Sequence, residues 1–220
     1  MSYIIGAFFL AYLMGSIPFG LILTKFFLKK DIRNEGSGNI GATNVLRAGN
    51  KKLAAATLFL DAFKAIFPII LIAGHYSYNK ASLTPQTPMQ IEFLAMFVGL
   101  GAIIGHCYPI WLNKGGKGVA TTIGALIAAV PYVGMIACLT WLTAAYTFKF
   151  SSLAALIAVA IAPITTLLIY GAAPAAVCLI ITALVFFRHK ENIKRLLNGE
   201  EPKIGSKKQN TEDTSEPVSK

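Results

Sequence analysis

Two glycine-rich, basic connections between apolar stretches decide how this chain is organised. The first reads Gly36-Ser37-Gly38-Asn39-Ile40-Gly41-Ala42-Thr43-Asn44 and is followed by Arg47; the second reads Lys114-Gly115-Gly116-Lys117-Gly118-Val119-Ala120-Thr121. Glycine leaves backbone N–H groups uncovered and permits positive φ, so such a loop can wrap around an anion. A helix that begins behind each loop adds partial positive charge at its N-terminus. The two stretches therefore predict phosphate-binding loops at a membrane surface.

Composition places the chain among polytopic membrane proteins. Its 220 residues are 55% hydrophobic and only 14% charged, whereas about 25% of the residues of a soluble domain are charged. The net charge of +10 is typical of loops on the inner side of a membrane and of contact with anionic headgroups, so nucleic acid is not an expected partner. The three cysteines are scattered among apolar residues, without the spacing of a zinc site.

Six apolar stretches predict an all-α bundle of membrane-spanning helices. They cover residues 3–27, 53–73, 90–110, 119–148, 151–170 and 174–187. The first is interrupted between Gly15 and Gly20, which predicts a kink or a close helix contact. As one helix, residues 119–148 would be about 45 Å long, against a hydrocarbon core of roughly 30 Å. Pro131 near its middle predicts two spans with a turn between them, and therefore seven spans in total.

Charge distribution gives the orientation of these spans. With seven spans, the loops at 28–52, 111–118 and 148–150 and the tail after residue 187 all lie on one side, and they carry every clear cationic cluster. The positive-inside rule places that side in the cytoplasm, so the N-terminus is predicted outside and the C-terminus cytoplasmic. Five spans are the alternative, if residues 119–147 and 151–187 are each one broken helix.

Ionisable residues within the spans are few. Asp61 and Lys64 are three residues apart on one predicted helix face, so they can pair. Such a pair is either a purely structural ion pair or a support beneath the loop site. His106, near the end of the third span, is expected to be structural. His75 is expected to be solvated in a short external loop over residues 75–89.

The C-terminal region carries a third polar motif. It begins Arg188-His189-Lys190-Glu191-Asn192 and continues through Arg195 and Gly199 to Glu201, and it predicts a short amphipathic helix that stops at Gly199. Residues 1–202 are predicted to form a single transmembrane domain. The composition of residues 203–220 predicts a disordered polar tail.

Familiar cofactor and metal signatures are absent from the sequence. Position 111, where a Walker A motif ending at Gly116-Lys117 would begin with glycine, is Trp111. No His/Cys/carboxylate cluster has the spacing of a tightly held metal. No cofactor is therefore expected.

The three motifs together resemble those of the bacterial PlsY family of acyl-phosphate:glycerol-3-phosphate acyltransferases. The resemblance covers residues 1–202 and implies a seven-helix membrane bundle in the bacterial inner membrane, with its active site on the cytoplasmic side. It also implies transfer of a fatty acyl group from acyl phosphate to the sn-1 hydroxyl of glycerol 3-phosphate, giving lysophosphatidic acid and phosphate as the opening step of phospholipid synthesis. Membrane lipid surrounds such a protein, and a monomer is expected.

The resemblance also implies which residues form the site. The expected catalytic residues are His189, Asn192, Glu201 and Lys117. The expected phosphate-binding and substrate-binding residues are Ser37, Gly38, Asn39, Arg47, Lys114, Gly115, Gly116 and Gly118. One hypothesis is that each glycine loop holds the phosphate of a different substrate.

Two questions stay open from the sequence. The proton of the attacking hydroxyl can pass to His189 or to a phosphate oxygen of a substrate. The rival function is a membrane transporter of small phosphorylated metabolites, although transporters usually place their binding groups near the midplane of the bilayer, between inverted repeats.

Overall fold

The computed structural model describes residues 2–78 and 88–205, and this part of the chain contains helices and turns but no strand. A short 3-10 helix lies at Ile32–Asn34. The α-helices are α1 (Ser2–Gly15), α2 (Phe19–Leu28), α3 (Ala42–Arg47), α4 (Lys51–Tyr78), α5 (Pro88–Cys107), α6 (Val119–Ala129), α7 (Pro131–Phe148), α8 (Ser151–Tyr170), α9 (Ala172–Arg188) and α10 (Lys190–Leu197). The all-α prediction is confirmed for the described residues.

The interruption predicted in the first span is present between α1 and α2. Both flanking glycines lie against backbone of another segment: a Cβ on Gly15 would collide with the Ala102 carbonyl of α5, and one on Gly20 would collide with the carbonyl of Ile40. Only glycine lets the chains approach this closely. The interruption therefore serves close contact between the first span and neighbouring segments.

The second span is longer than predicted, and the third, α5, both begins and ends earlier than the predicted 90–110. Helix α4 continues through Tyr78, so residues 75–78 are helical rather than part of an external loop. The ring of His75 stacks on that of Tyr3 with a centroid distance of 3.9 Å, so the expectation of a merely solvated His75 is wrong. The rest of that predicted loop, residues 79–87, lies outside the described residues.

The predicted break near Pro131 is confirmed. Val130 ends α6 and precedes α7, and Pro131 is the first residue of α7. Proline suits this position because the first N–H of a helix has no intrahelical partner to lose. The turn leaves α6 with 11 residues, or about 16 Å of length.

Hydrogen bonds between distant segments identify the two ends of the bundle. At one end, Ser151 at the start of α8 lies 3.1 Å from the Thr43 hydroxyl, and the N–H of Ile204 donates to the carbonyl of Lys149 at 2.7 Å. At the other end, the N–H of Tyr132 at the start of α7 faces the hydroxyl of Tyr170 at the end of α8 at 3.4 Å. Helices α7 and α8 therefore run between the two ends in opposite directions.

Several helices are apolar and long enough to cross a bilayer. Four segments of the described chain qualify by length and composition, namely Tyr3–Leu28, Lys51–His75, Gln90–Cys107 and Ser151–Tyr170. Helices α9 and α10, bent by 62° at their junction, give a fifth. Large apolar side chains such as Phe59, Tyr146 and Leu168 are exposed on the outer helix faces, which is the arrangement that lipid favours. The predicted seven spans exceed this number.

The interior of the bundle is built from small and branched apolar side chains on α1, α4–α9. Met96, Ile103, Leu126, Val133 and Ile181 are fully buried members of this core. The chain turns back after α10 at Gly199, whose φ of +73° lies in the left-handed region. This turn brings residues 200–204 over the end of the bundle that carries the glycine loops.

Replacement of Gly15 by alanine tests the close contact between α1 and α5. We expect Gly15→Ala to lower the free energy of unfolding by about 1–3 kcal/mol, because the added methyl group must displace the backbone of α5. Thermal unfolding in detergent measures the change. Gly6→Ala is the matched control, since a Cβ on Gly6 of the same helix meets no atom within 4 Å; an equal loss in both variants would contradict the contact.

Candidate functional site

The first glycine loop is held in shape by Asn44. This side chain is buried, and its Oδ1 accepts hydrogen bonds from the N–H and the hydroxyl of Ser37, at 2.9 and 3.2 Å. Its Nδ2 lies 2.9–3.0 Å from the carbonyl oxygens of Ile32, Glu35 and Asn39, so its two N–H groups are shared among three acceptors. One amide therefore fixes the path of residues 32–39 and the position of Ser37.

Two glycines allow the loop to bend around this amide. Gly36 and Gly38 have φ values of +52° and +68°, which side chains with a Cβ rarely adopt. A Cβ on Gly36 would also run into the Asn44 amide. Gly38 thus shapes the loop, although it is not among the residues that line the pocket described below.

The second glycine loop lies on the end of α5. The N–H of Gly116 donates to the carbonyl of His106 at 2.9 Å. The carbonyl oxygens of Gly115 and Gly116 accept from the guanidinium of Arg188, at 2.9 and 3.1 Å. These two glycines therefore contact protein groups on both sides. Gly118, with φ +81°, precedes the first turn of α6.

Lys117 links the second loop to the C-terminal motif. Its ammonium donates to Oδ1 of Asn192, and Nδ2 of Asn192 donates to Oε1 of Glu201 at 2.7 Å. Burial lowers the pKa of Lys117 to about 8, with Glu201 opposing the shift and the cations Arg195, Arg47 and Arg188 adding to it. The ammonium is therefore close to losing its proton at mildly alkaline pH.

Glu201 is the acceptor on which the C-terminal segment is fixed. Its carboxylate accepts from Ser152 Oγ at 2.6 Å, from Asn192 at 2.7 Å and from Nε of Arg195 at 2.7 Å. Burial acts to raise the pKa of Glu201, but these hydrogen bonds prevail and hold it below its ordinary value. Glu201 is thus ionised at neutral pH, with both oxygens occupied.

Arg47, at the end of α3, joins the first motif to the third. Its Nη2 donates to the carbonyl of Pro202 at 3.3 Å. Its Nε is buried and has no hydrogen-bond partner among residues 2–78 and 88–205, although buried donors are normally paired. An anion in the pocket would supply the missing acceptor.

His189 follows α9 and is buried with one ring nitrogen occupied. Its Nδ1 lies 2.7 Å from the carbonyl of Val185. A carbonyl can only accept, so Nδ1 carries the proton of the neutral ring and Nε2 holds the free lone pair. His189 lines the pocket, where Nε2 can accept a proton.

A single pocket collects most of the predicted site. Eight of the twelve predicted residues line it, whereas Gly38, Gly115, Gly116 and the exposed Lys114 do not. The eight are Ser37, Asn39, Arg47, Lys117, Gly118, His189, Asn192 and Glu201. The same pocket has an apolar part from α4, α6, α7 and α8, formed by Leu58, Ala62, Ile123, Trp141, Leu142 and Ala155.

The sequence interpretation missed some residues of this site. Asn44 belongs to the first motif, but its function as the centre of the loop depends on contacts that the sequence does not display. Ser152 carried no signal beyond its position at a helix start. Two residues that the sequence did single out also line the pocket: Asp61, for which a support beneath the loop site was one of two alternatives, and His106, which was expected to be structural. The pairing of Asp61 with Lys64 is confirmed, with 2.9 Å between Oδ1 and Nζ.

The residues that the structure describes contain no evident metal site. Among the residues described, no group of three or more His, Cys, Asp or Glu side chains could hold a metal ion.

Comparison with known proteins gives a consistent family. Residues 5–199 match the family model described as glycerol-3-phosphate acyltransferase. The glycerol-3-phosphate acyltransferase of Mesorhizobium japonicum is 49% identical over 197 residues, which are 89% of this chain and 93% of that protein. That of Brucella canis is 47% identical over 205 residues, covering 93% and 94%.

Two solved structures have the same fold. Both are crystal structures of PlsY (YgiH), an integral membrane glycerol 3-phosphate acyltransferase. The glycerol 3-phosphate form has a TM-score of 0.80 and 36% identity, with 92% of this chain and 96% of that chain covered. The lysophosphatidic acid form has a TM-score of 0.77 and 35% identity, with coverage of 91% and 95%. The family resemblance carried by the three motifs is confirmed, and the chain belongs to the glycerol-3-phosphate acyltransferase (PlsY) family.

Proposed function

We propose that this chain transfers a fatty acyl group from acyl phosphate to the sn-1 hydroxyl of glycerol 3-phosphate, releasing lysophosphatidic acid and phosphate, as the first step of phospholipid biosynthesis. Membership of the family supports the acyltransferase activity and the acceptor. The observation that carries the proposal is that Arg47, Lys117 and His189 line one pocket together with an apolar wall. Two cations suit two phosphorylated reactants, and the wall suits an acyl chain.

The donor is inferred from what the pocket contains. An acyl phosphate is a mixed anhydride and already reactive, so transfer needs no covalent enzyme nucleophile. The hydroxyl oxygen attacks the acyl carbon, the bond between that carbon and the phosphate oxygen breaks, and phosphate leaves with the electron pair. The protein then has to hold two anions, orient one hydroxyl and stabilise the charge that develops on oxygen.

The predicted binding residues divide into cations and shaping groups. Arg47 and Lys117 are proposed to hold one phosphate each. Ser37 and Asn39 orient oxygen atoms, and the N-terminal turn of α6 behind Gly118 adds partial positive charge. Gly38, Gly115 and Gly116 are proposed to act by shaping the loops. The exposed Lys114 is proposed to attract anionic substrate to the pocket.

The third motif is proposed to supply the base and its surroundings. Nε2 of His189 accepts the proton of the attacking hydroxyl, since Nδ1 is held by Val185. Asn192 orients the Lys117 ammonium, and Glu201 fixes Asn192 in turn. The apolar wall binds the acyl chain, at roughly 0.8 kcal/mol per buried methylene.

We further propose seven spans, with the N-terminus outside and the pocket at the cytoplasmic face of the bacterial inner membrane. The contacts of Ser151, Ser152 and Ile204 support this number, because they bring the turn between α7 and α8 to the same end as Lys117 and His189. With only about 16 Å of length, α6 would need a locally thin bilayer or the α6–α7 turn below the surface. We also propose a monomer as the active unit, and residues 1–202 as one domain. The tail predicted from residue 203 has a bonded residue near its start, because the N–H of Ile204 donates to the carbonyl of Lys149, and residues 206–220 lie outside the described residues.

Purified protein in detergent provides the direct test of the reaction. We expect phosphate release only when acyl phosphate and glycerol 3-phosphate are both present, with one lysophosphatidic acid formed per phosphate. Arg47→Ala should abolish most of this release, whereas Lys51→Ala, which removes an exposed cation outside the pocket, should not. Uptake of phosphorylated metabolites by sealed vesicles without phosphate release would instead favour a transporter.

The charge of Lys117 predicts a pH dependence. Because the pKa of Lys117 is about 8, the ammonium is present below that pH and is lost above it. We expect kcat/KM to fall as the pH rises through about 8. Lys117→Arg should remove this fall, since a guanidinium stays charged. The second ionisation of a phosphate monoester occurs near pH 6, well below the pH at which this fall is expected. If Lys117→Arg shows the same fall of kcat/KM near pH 8, the fall belongs to the ionisation of another group.

The base is tested by His189→Gln. We expect kcat at saturating substrates to fall by about 100-fold or more, because the acceptor for the hydroxyl proton is lost. His75→Gln, at a histidine outside the pocket, is the control and should keep the turnover of the unmodified enzyme. If His189→Gln keeps most of its turnover, the proton passes to a substrate phosphate oxygen instead.

A further inference from the structure

Lys64 is fully enclosed in the bundle, with 1% of its side chain exposed. Its Nζ lies 2.9 Å from Asp61 Oδ1, 2.7 Å from Nδ1 of His106 and 3.1 Å from the carbonyl oxygen of Ile17. Two of the three N–H donors of the ammonium therefore have hydrogen-bond acceptors, in His106 and Ile17, and Asp61 pairs with it by charge. Because Nδ1 of His106 accepts one of them, the neutral ring carries its own proton on Nε2.

This cluster joins three segments of the chain beneath the pocket. Asp61 and Lys64 belong to α4, His106 to α5, and Ile17 to the link between α1 and α2. Apolar side chains could join helices at less cost than a buried ion pair, because removing charges from water is expensive. Asp61 and His106 also line the pocket, so the cluster reaches the site and is not confined to the helix interface.

His106 is in direct contact with the second glycine loop. Its carbonyl accepts from the N–H of Gly116, and a Cβ on Gly116 would collide with Nε2 of the imidazole ring. The loop therefore lies flat on His106, and the next residue along the chain is Lys117. A side chain at position 106 with a different size or position must therefore move the backbone of the loop, and with it the Lys117 ammonium.

We propose that Asp61, Lys64 and His106 are positioning residues, which fix the second glycine loop and thereby place the ammonium of Lys117 for the transfer reaction. The proposal rests on the proposed function, because it assigns these residues an effect on turnover through Lys117. It gives the buried ions a task that packing alone would not require.

Two substitutions of His106 separate positioning from simple packing. Asn places its amide oxygen close to where Nδ1 of histidine lies, so His106→Asn keeps an acceptor for Lys64. His106→Leu removes the acceptor and leaves an apolar side chain of similar bulk. We expect His106→Leu to lower kcat by about 10- to 100-fold, the scale of a small misplacement of a catalytic group, and His106→Asn to recover most of it. Unchanged kcat in His106→Leu would overturn the proposal.

The pH profile supplies a second readout that a purely structural defect would not move. When the loop shifts in His106→Leu, the Lys117 ammonium gains water, and the fall of kcat/KM near pH 8 should move to higher pH. His106→Asn should keep it in place. If kcat is lower in His106→Leu but kcat/KM still falls at the same pH as in the unmodified enzyme, the defect is one of folding and the proposed positioning of Lys117 is contradicted. Absence of the fall in the unmodified enzyme would instead count against the function proposed for Lys117.

Two further variants serve as controls for a defect in folding. Thr57→Val replaces a buried hydroxyl of α4 that bonds only within its own helix, to the carbonyl of Leu53, and should keep normal kcat and pH profile. The double variant Asp61→Asn with Lys64→Met removes both charges together and leaves no lone buried charge. If His106→Leu does not fold, this double variant carries the test, with the same expected loss of kcat and the same shift in pH. A normal kcat in the folded double variant would overturn the proposal.

Discussion

A buried carboxylate must be given donors, and Glu201 receives them from three directions. Ser152 comes from the start of α8, Asn192 from the first turn of α10, and Arg195 from about one turn further along the same helix. Removing any one donor leaves part of a charge without a partner in a poorly solvated place. The C-terminal segment can therefore settle in one position only, and that position brings Asn192 to Lys117 and Pro202 to Arg47. The convergence of three motifs that are far apart in the chain depends on this one acceptor.

The glycine loops show how local backbone freedom is used at such a site. In the first loop, positive φ at Gly36 and Gly38 lets the chain turn around the Asn44 amide, which then holds Ser37. In the second, the glycines allow the backbone to lie on His106 while their carbonyls meet Arg188. The first loop is thus organised by the side chain of Asn44, and the second by His106 and Arg188 together. These contacts fix the backbone next to Arg47 and Lys117, the two cations that line the pocket.

Much of the fold could be predicted from the sequence because membrane helices leave a strong compositional record. Residues 151–170 were delimited to the residue, and the break at Pro131 follows from the geometry of proline. The pairing of Asp61 with Lys64 follows from their spacing on one helix face. The motifs indicated Arg47, Lys117, His189, Asn192 and Glu201, which do share a pocket.

Composition could not show which way each residue of a loop faces. Glycine and lysine in a basic loop have the same sequence pattern whether they face the pocket or the rest of the protein. Lys114 is exposed, and the carbonyls of Gly115 and Gly116 face Arg188, because the end of α5 sets the orientation of the loop. The contributions of Ser152 and Asn44 could not be predicted from the sequence, because each depends on a bonding partner, 49 and 7 residues away respectively.

The position of Glu201 beyond the last helix has a consequence for biosynthesis. Helices that emerge early from the ribosome can insert and pack before the end of the chain has been made, but the acceptor that draws Asn192, Arg195 and Ser152 together is synthesised after all of them. Until residue 201 has been made, the acceptor that fixes the Asn192 amide beside the Lys117 ammonium is missing. We therefore expect a chain interrupted shortly before residue 201 to lack the contacts that join Ser152, Asn192 and Arg195, even if its helices form.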